Sequence, residues 1–152
     1  MAVWGLKLYF IHTVNQATVL YWAVQTVKKI SLSILILFYL VAGINHFRSP
    51  DSYYRIIPHY IPYPVFVNIL AGCFELLFGL LLIFSKTRPF AAWGIILMLI
   101  AFLPVHIGMI GDAPLQLGNL TVTPFIAWMR LVVLQPLLIL WAWWYTFDNP
   151  TR

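Results

Sequence analysis

Charged side chains are scarce in this sequence. They make up 9% of its 152 residues, whereas hydrophobic residues make up 62%. A soluble domain normally carries about 25% charged residues, so most of this chain's surface is not suited to water. The nine basic residues are scattered between apolar runs and form no patch, which excludes a nucleic-acid-binding surface.

Cysteine is nearly absent as well. The single cysteine, Cys73, lies inside an apolar run and has no partner for a disulfide within the chain. Dithiol redox chemistry within one chain is therefore excluded. The sequence also lacks a phosphate-binding loop, a nucleophile motif and closely spaced metal ligands. It predicts neither an independent enzyme nor a metal site.

Long apolar runs are abundant. Four of them, residues 30–47, 65–84, 90–111 and 125–146, are close to the roughly 20 residues that cross a bilayer. Helices are the suitable spanning form, because lipid satisfies no backbone polar groups and the runs lack the alternation of barrel strands. Short linkers make successive helices antiparallel neighbours. The predicted fold is an all-α four-helix transmembrane bundle, with a membrane domain over residues 29–147.

Lysine and arginine are unevenly distributed between the two sides of the predicted bundle. The side that holds both chain ends and the linker after the second run carries Lys28, Lys29, Lys86, Arg88 and Arg152. The opposite side carries Arg48 and Arg55. Because positive residues concentrate in cytoplasmic loops, both termini, including the short tail 148–152, are predicted to be cytoplasmic.

Residues 1–28 precede the first run and have a different pattern. Apolar residues from Leu6 to Val27 form one helical stripe, and Lys7, Asn15 and Gln25 lie opposite. This pattern predicts an amphipathic helix lying at the membrane interface. Two alternatives stay open. One is a fifth span, which would bring polar residues into the hydrocarbon, and the other is a natural start near Lys28.

Polar residues inside the spans lie in the half nearer the outer side. His46, His106 and Arg130 are within about five residues of the outer ends, roughly 8 Å, and Glu75 and Gln135 are ~15 Å deep. Polar groups in spans usually face the bundle interior. A ligand pocket is therefore predicted from Tyr39, Asn45, His46, Glu75, His106, Arg130 and Gln135. The loop residues Tyr53, Tyr54 and His59 are predicted to form its rim.

Each of these residues also has a structural interpretation. Glu75 and Arg130 are separated by ~7 Å along the helix axes, so a direct or water-bridged ion pair between them is predicted. Arg130 reaching the outer headgroups is an alternative. Axial haem ligation by His46 and His106 is another. Arg130 and Gln135 face the same pocket only if Pro136 distorts the helix between them.

Four segments resemble the DoxX-like family of small bacterial four-helix membrane proteins. They are "AGINHFRSPDSYYRIIPHYIP", "GCFELLFGLLLIF", "TRPFAAWGIILMLIAFLPVHI" and "WMRLVVLQPLLILWAWWY", which occur in that order within residues 30–147. The resemblance assigns the family's polar or turn positions to Asn45, His46, Phe47, Pro50, Tyr53, Pro58, Glu75, Pro104, Arg130 and Gln135. His106 departs from it, because an asparagine is expected there, and residues 1–28 have no counterpart.

The resemblance implies a place in the bacterial cytoplasmic (inner) membrane and an association with redox enzymes. Together with the pocket it leads to a functional hypothesis, a non-catalytic membrane subunit that binds a quinone or similar lipid-soluble molecule for a redox partner. A transporter or binding protein for a small apolar metabolite is one alternative, and a structural membrane anchor is another. A redox-enzyme subunit and a second copy of the chain are the candidate protein partners.

Overall fold

The computed structural model describes the backbone of residues 2–117 and 120–147, and the side chains of residue 16 and of those ranges from residue 18 onwards. The predicted tail at 148–152 lies outside the described residues. Many side chains of the amphipathic stripe predicted within residues 1–28 also lie outside the described side chains. Residues 1–34 and 35–152 form two compact units, and everything below concerns the second of these unless stated otherwise.

The described chain is almost entirely helical. Its helices are α1 (Ala2–Arg48), α2 (Pro50–Tyr54), α3 (Pro64–Leu81), α4 (Arg88–Ala101), α5 (Leu103–Asp112), α6 (Pro124–Met129) and α7 (Gln135–Trp143). A π-helical turn, Arg130–Leu134, joins α6 to α7. Two short strands, β1 (Leu115–Leu117) and β2 (Leu120–Val122), lie between α5 and α6.

Four helical segments are long and apolar enough to cross a membrane. Among the described residues they are Thr18–Arg48, Pro64–Leu81, Arg88–Asp112 and Pro124–Trp143, so the prediction of an all-α fold with four helices able to span a membrane is confirmed. The first candidate span begins earlier than the predicted run. A helix boundary near residue 28 is not present, because α1 continues through it.

The distribution of polar and apolar side chains is that of a membrane protein. Large apolar residues such as Phe66, Leu97 and Leu137 are exposed on the helix surfaces, where lipid rather than water is the suitable neighbour. Among the side chains that the structure describes, the buried polar ones are His46, Asn68, Glu75, His106 and Gln135. Polar groups therefore converge inside the bundle, as the sequence predicts.

Glycines allow the carboxyl-terminal part of α1 to pack closely on α3. A Cβ atom on Gly72 would lie 2.7 Å from the Cβ of His46, and one on Gly43 would lie 2.8 Å from Cγ of Leu76. No side chain at these positions fits without movement, and small residues are what permit such approach between membrane helices. This contact fixes His46 against α3.

Prolines interrupt the third and fourth spans. The third is divided at Phe102, two residues before Pro104. In the fourth, the π-helical turn ends directly before Gln135 and Pro136. Proline explains this distortion, because it lacks the backbone N–H that would bond the preceding turn and its ring clashes with that turn. The condition for Arg130 and Gln135 to face one pocket, a distortion at Pro136, is met.

The linker between α5 and α6 folds into a small hairpin that the sequence analysis did not identify. Strands β1 and β2 pair antiparallel, with Leu115 opposite Val122. Val122 is fully buried with Met109 and Ala127, and Ile56 from the segment after α2 packs against this cluster. The hairpin and the α2 segment therefore pack together at the end of the bundle predicted to be outer.

Candidate functional site

A cavity of about 170 Å³ lies inside the unit formed by residues 35–152. Its volume is comparable with the ~150 Å³ apolar cavity in an engineered protein that accepts benzene, so the space suits a ring-sized group. The apolar wall includes Phe38, Phe102 and Leu138. The polar wall consists of Tyr39, His46, Tyr53, Asn68, Glu75, His106, Arg130 and Gln135.

His46 is held by α3 through two hydrogen bonds with Asn68. The Asn68 side-chain amide donates to the backbone carbonyl of His46 at 3.0 Å, which fixes the orientation of the amide. Its oxygen then faces Nδ1 of His46 at 2.7 Å. Because that oxygen can only accept, Nδ1 must carry the proton. The remaining ring nitrogen, Nε2, lies 3.4 Å from Oε2 of Glu75.

This tautomer limits the protons that His46 and Glu75 can hold. With Nδ1 protonated, a neutral His46 presents the lone pair of Nε2 to Glu75. A carboxylate oxygen opposite that lone pair would be repelled, so the pair must hold one further proton, on Nε2 or on the carboxyl group. The 3.4 Å approach is not a hydrogen bond, because Oε2 of Glu75 has no hydrogen-bond partner in the described chain. The pair, a dyad whose members are both 7% exposed, therefore carries no net charge.

Tyr53 covers the dyad from the α2 side. Its ring stacks on the His46 ring, with the centroids 3.7 Å apart and the planes at 26°. Its hydroxyl accepts a 2.8 Å hydrogen bond from the side-chain amide of Asn45. Burial raises the pKa of the Tyr53 phenol above its ordinary value, so the ring is neutral and remains a donor at physiological pH.

Three other polar groups on the cavity wall lack partners. Within the described part of the chain, the Tyr39 hydroxyl, Nδ1 of His106 and Nε of Arg130 are buried and make no hydrogen bond. Such groups are costly, since most buried polar atoms in proteins are paired. Tyr39 is 1% exposed and His106 is 8% exposed. These unpartnered atoms are the feature of the cavity that most needs explaining.

Of the predicted direct or water-bridged ion pair between Glu75 and Arg130, the direct form is wrong, and the water-bridged form stays a prediction. Of the described cationic and histidine side chains, only His46 comes within 4 Å of the Glu75 carboxylate. Arg130 lines the same cavity but forms no ion pair with a described residue. The reason is the close approach of α1 and α3 at Gly72, which brings the His46 ring to Glu75 first.

Gln135 has a structural contact. Its side-chain amide donates a 2.6 Å hydrogen bond to the backbone carbonyl of Leu99, on the last turn of α4. That carbonyl lies close to the break at Phe102, where regular helical bonding ends. Gln135 therefore joins the fourth span to the third.

A second, more polar cavity of about 450 Å³ adjoins the first. Tyr53, Ile56 and Arg130 line both. The other walls of the second cavity are Asn45, Ser49, Ser52, Leu117 and Leu120. The α2 segment and the hairpin thus enclose an outer space, and Arg130 lies at its border with the inner one.

Most predicted pocket residues line the inner cavity. These are Tyr39, His46, Glu75, His106, Arg130 and Gln135, with the predicted rim residue Tyr53. Asn45 lines the outer cavity instead. Tyr54 and the exposed His59 line neither cavity. Asn68 was missing from the predicted site, although its spacing from Gly72 and Glu75 places all three on one helix face.

Comparison with known proteins identifies the family of the chain. Residues 35–146 match a family model described as "Domain of unknown function (DUF8561)", and the chain belongs to this family. No curated protein and no solved structure matches the chain. The match coincides with the unit that contains both cavities, and the resemblance to DoxX-like proteins stays a prediction.

Proposed function

We propose that this member of the family is a membrane subunit that binds a quinone, or a similar lipid-soluble ring compound with carbonyl groups, on behalf of a redox partner. The observation that supports this most is the set of unpartnered buried atoms on Tyr39, His106 and Arg130 around one ring-sized cavity. Binding pockets typically combine an apolar wall with a few polar groups of this kind.

The donors on the wall suit carbonyl oxygens. The Tyr39 hydroxyl and Nε of Arg130 both donate hydrogen bonds, and a quinone carbonyl only accepts them. His106 can donate from Nδ1 in one tautomer. Phe38 and Phe102 offer faces for stacking against a planar ring. A quinone would therefore satisfy groups that are otherwise buried at a cost.

Binding should depend on the carbonyl groups rather than on shape alone. Purified protein in nanodiscs is titrated with 2-methyl-1,4-naphthoquinone and with 2-methylnaphthalene, which has the same ring skeleton without oxygens. We expect the quinone to bind about tenfold or more tightly, because two hydrogen bonds of about 1 kcal/mol each are gained. Equal affinities would contradict the proposal and favour a site for an apolar metabolite.

Tyr39→Phe should lower quinone affinity by about fivefold, the effect of losing one hydrogen bond of ~1 kcal/mol. It should leave 2-methylnaphthalene binding unchanged, because the ring is kept. Tyr54→Phe is the matched control, since Tyr54 lines neither cavity. If neither the Tyr39→Phe substitution nor the loss of the ligand's oxygens changes the binding affinity, the structural-anchor alternative is preferred.

The proposed location is the bacterial cytoplasmic membrane, with both termini cytoplasmic. The uneven distribution of lysine and arginine supports this orientation. In a Cys73→Ser background, which removes the exposed native thiol, Ser52→Cys should react with a membrane-impermeant maleimide from outside intact cells. Ser85→Cys should react only after permeabilisation. Labelling of both from one side would contradict this topology.

A further inference from the structure

We infer that the inner cavity selects ring compounds that carry an ionised hydroxyl conjugated to a carbonyl, so that a hydroxyquinone anion binds in preference to its neutral ether. The inference rests on the proposed function and names its ligand class. It follows from the charges on the cavity wall and from the position of Arg130 between the two cavities.

The wall carries one uncompensated positive charge. The dyad of His46 and Glu75 has no net charge, because it holds one proton in addition to that on Nδ1 of His46. Tyr39 and Tyr53 are phenols and are neutral. A second positive charge on His106, on the same wall as Arg130, would be unfavourable, since like charges oppose ionisation. The guanidinium of Arg130 is therefore the net charge that a ligand meets.

Arg130 has no counter-ion among the described residues. The carboxyl group of Glu75 lies against Nε2 of His46, 3.4 Å away, instead, and Nε of Arg130 has no hydrogen-bond partner in that part of the chain. A charge in a poorly solvated place interacts strongly with an opposite charge. A planar anion that accepts two hydrogen bonds side by side is the partner that a guanidinium binds best.

A hydroxyl next to a quinone carbonyl provides that partner. Its ionised oxygen and the adjacent carbonyl oxygen accept hydrogen bonds side by side in the plane of the ring, and the charge is shared with the second carbonyl group through the ring double bond. Arg130 lines both cavities, so the oxygens can bind at the border while the ring lies against Phe38 and Phe102. A two-ring compound has room because the second cavity adjoins the first.

Two matched ligands test the inference. They are 2-hydroxy-1,4-naphthoquinone, which is ionised at neutral pH, and its methyl ether, 2-methoxy-1,4-naphthoquinone. Protein in nanodiscs of uncharged lipid is titrated with each, with empty nanodiscs as the baseline and affinities referred to free aqueous ligand. The ether partitions better into lipid, so partitioning cannot produce a preference for the anion. We expect the anion to bind about tenfold or more tightly.

Variants of Arg130 locate the preference. Arg130→Gln should reduce the ratio of the two affinities to near one, because the charge is lost while an amide donor remains. Arg130→Lys should retain part of the ratio. Continued binding of the ether by Arg130→Gln shows that the variant is folded. If the variant does not fold, the ratio of the two affinities measured on the protein without substitutions decides the question.

The outcomes separate this inference from the proposed function. Tighter binding of the anion that depends on Arg130 supports both. Binding of the ether as tightly as the anion overturns the inference but leaves the quinone proposal in place. A preference that persists in Arg130→Gln also overturns it. Failure of 2-methyl-1,4-naphthoquinone to bind better than 2-methylnaphthalene contradicts the proposed function itself.

Discussion

Replacing Gly72 with alanine should destabilise the protein in detergent by about 1–3 kcal/mol, the usual cost of forcing an extra group into a packed interior. The added Cβ would lie 2.7 Å from Cβ of His46 and 2.9 Å from the Phe47 ring. The Cβ of His46 belongs to the backbone framework of α1 and cannot rotate away. The helices must therefore separate, and the His46 ring must move away from Glu75.

Gly111→Ala is the matched control for this prediction. Gly111 lies on α5, and a Cβ atom there would meet nothing within 4 Å. Since alanine favours helix by up to about 1 kcal/mol over glycine, this control should be neutral or slightly stabilising. Thermal unfolding of both variants in the same detergent provides the comparison. Equal effects of the two substitutions would show that close approach at Gly72 does not hold the helices.

The sequence predicted the spans and the polar interior well, because each depends on one helix at a time. Apolar length identifies a span, and the spacing of Asn68, Gly72, Glu75 and Gly79 defines one face of α3 whatever lies opposite. The helix distortion caused by the proline in the fourth span likewise depends on that helix alone. The π-helical turn before Gln135 is a local effect of Pro136 on its own chain.

The partner of Glu75 could not be predicted, because it depends on how two helices are offset. The depths predicted from the sequence hold only if the outer ends of all spans are level. The contact between His46 and Gly72 shows otherwise. His46 lies two residues from the end of α1, whereas Gly72 lies eight residues into α3. The difference of about six residues corresponds to ~9 Å, enough to bring His46 to Glu75 before Arg130.

The hairpin and the outer cavity were missed for a related reason. Strands β1 and β2 have three residues each, too short to give a clear alternating pattern. Val122 is buried because the α2 segment and α5 pack around it. Such contacts join segments far apart in the chain, and no local signal predicts them.

Because the Glu75 carboxyl group lies against His46 and not against Arg130, replacing His46 should have a large effect on stability. His46→Ala should destabilise the protein by about 3–5 kcal/mol, the usual cost of removing one member of a buried pair. It leaves the Glu75 carboxyl group and the side-chain oxygen of Asn68 without the imidazole they face, whereas the Asn68 NH2 keeps the backbone carbonyl of residue 46. Glu75→Gln should cost no more than about 1 kcal/mol, because the new amide is uncharged and can donate to the lone pair of Nε2 of His46.

Two double-mutant cycles measured by unfolding in detergent test this assignment. Glu75→Gln and His46→Ala should be strongly non-additive, since the two side chains are in contact. Glu75→Gln and Arg130→Gln should add to within about 0.5 kcal/mol, as independent sites do. If Glu75→Gln is instead as costly as His46→Ala, the carboxylate charge itself is required. If Glu75→Gln and Arg130→Gln are then also non-additive, Arg130 is the cation that requires the Glu75 carboxylate. Arg130 would have a counter-ion, and the anion preference would lose the uncompensated charge on which it rests.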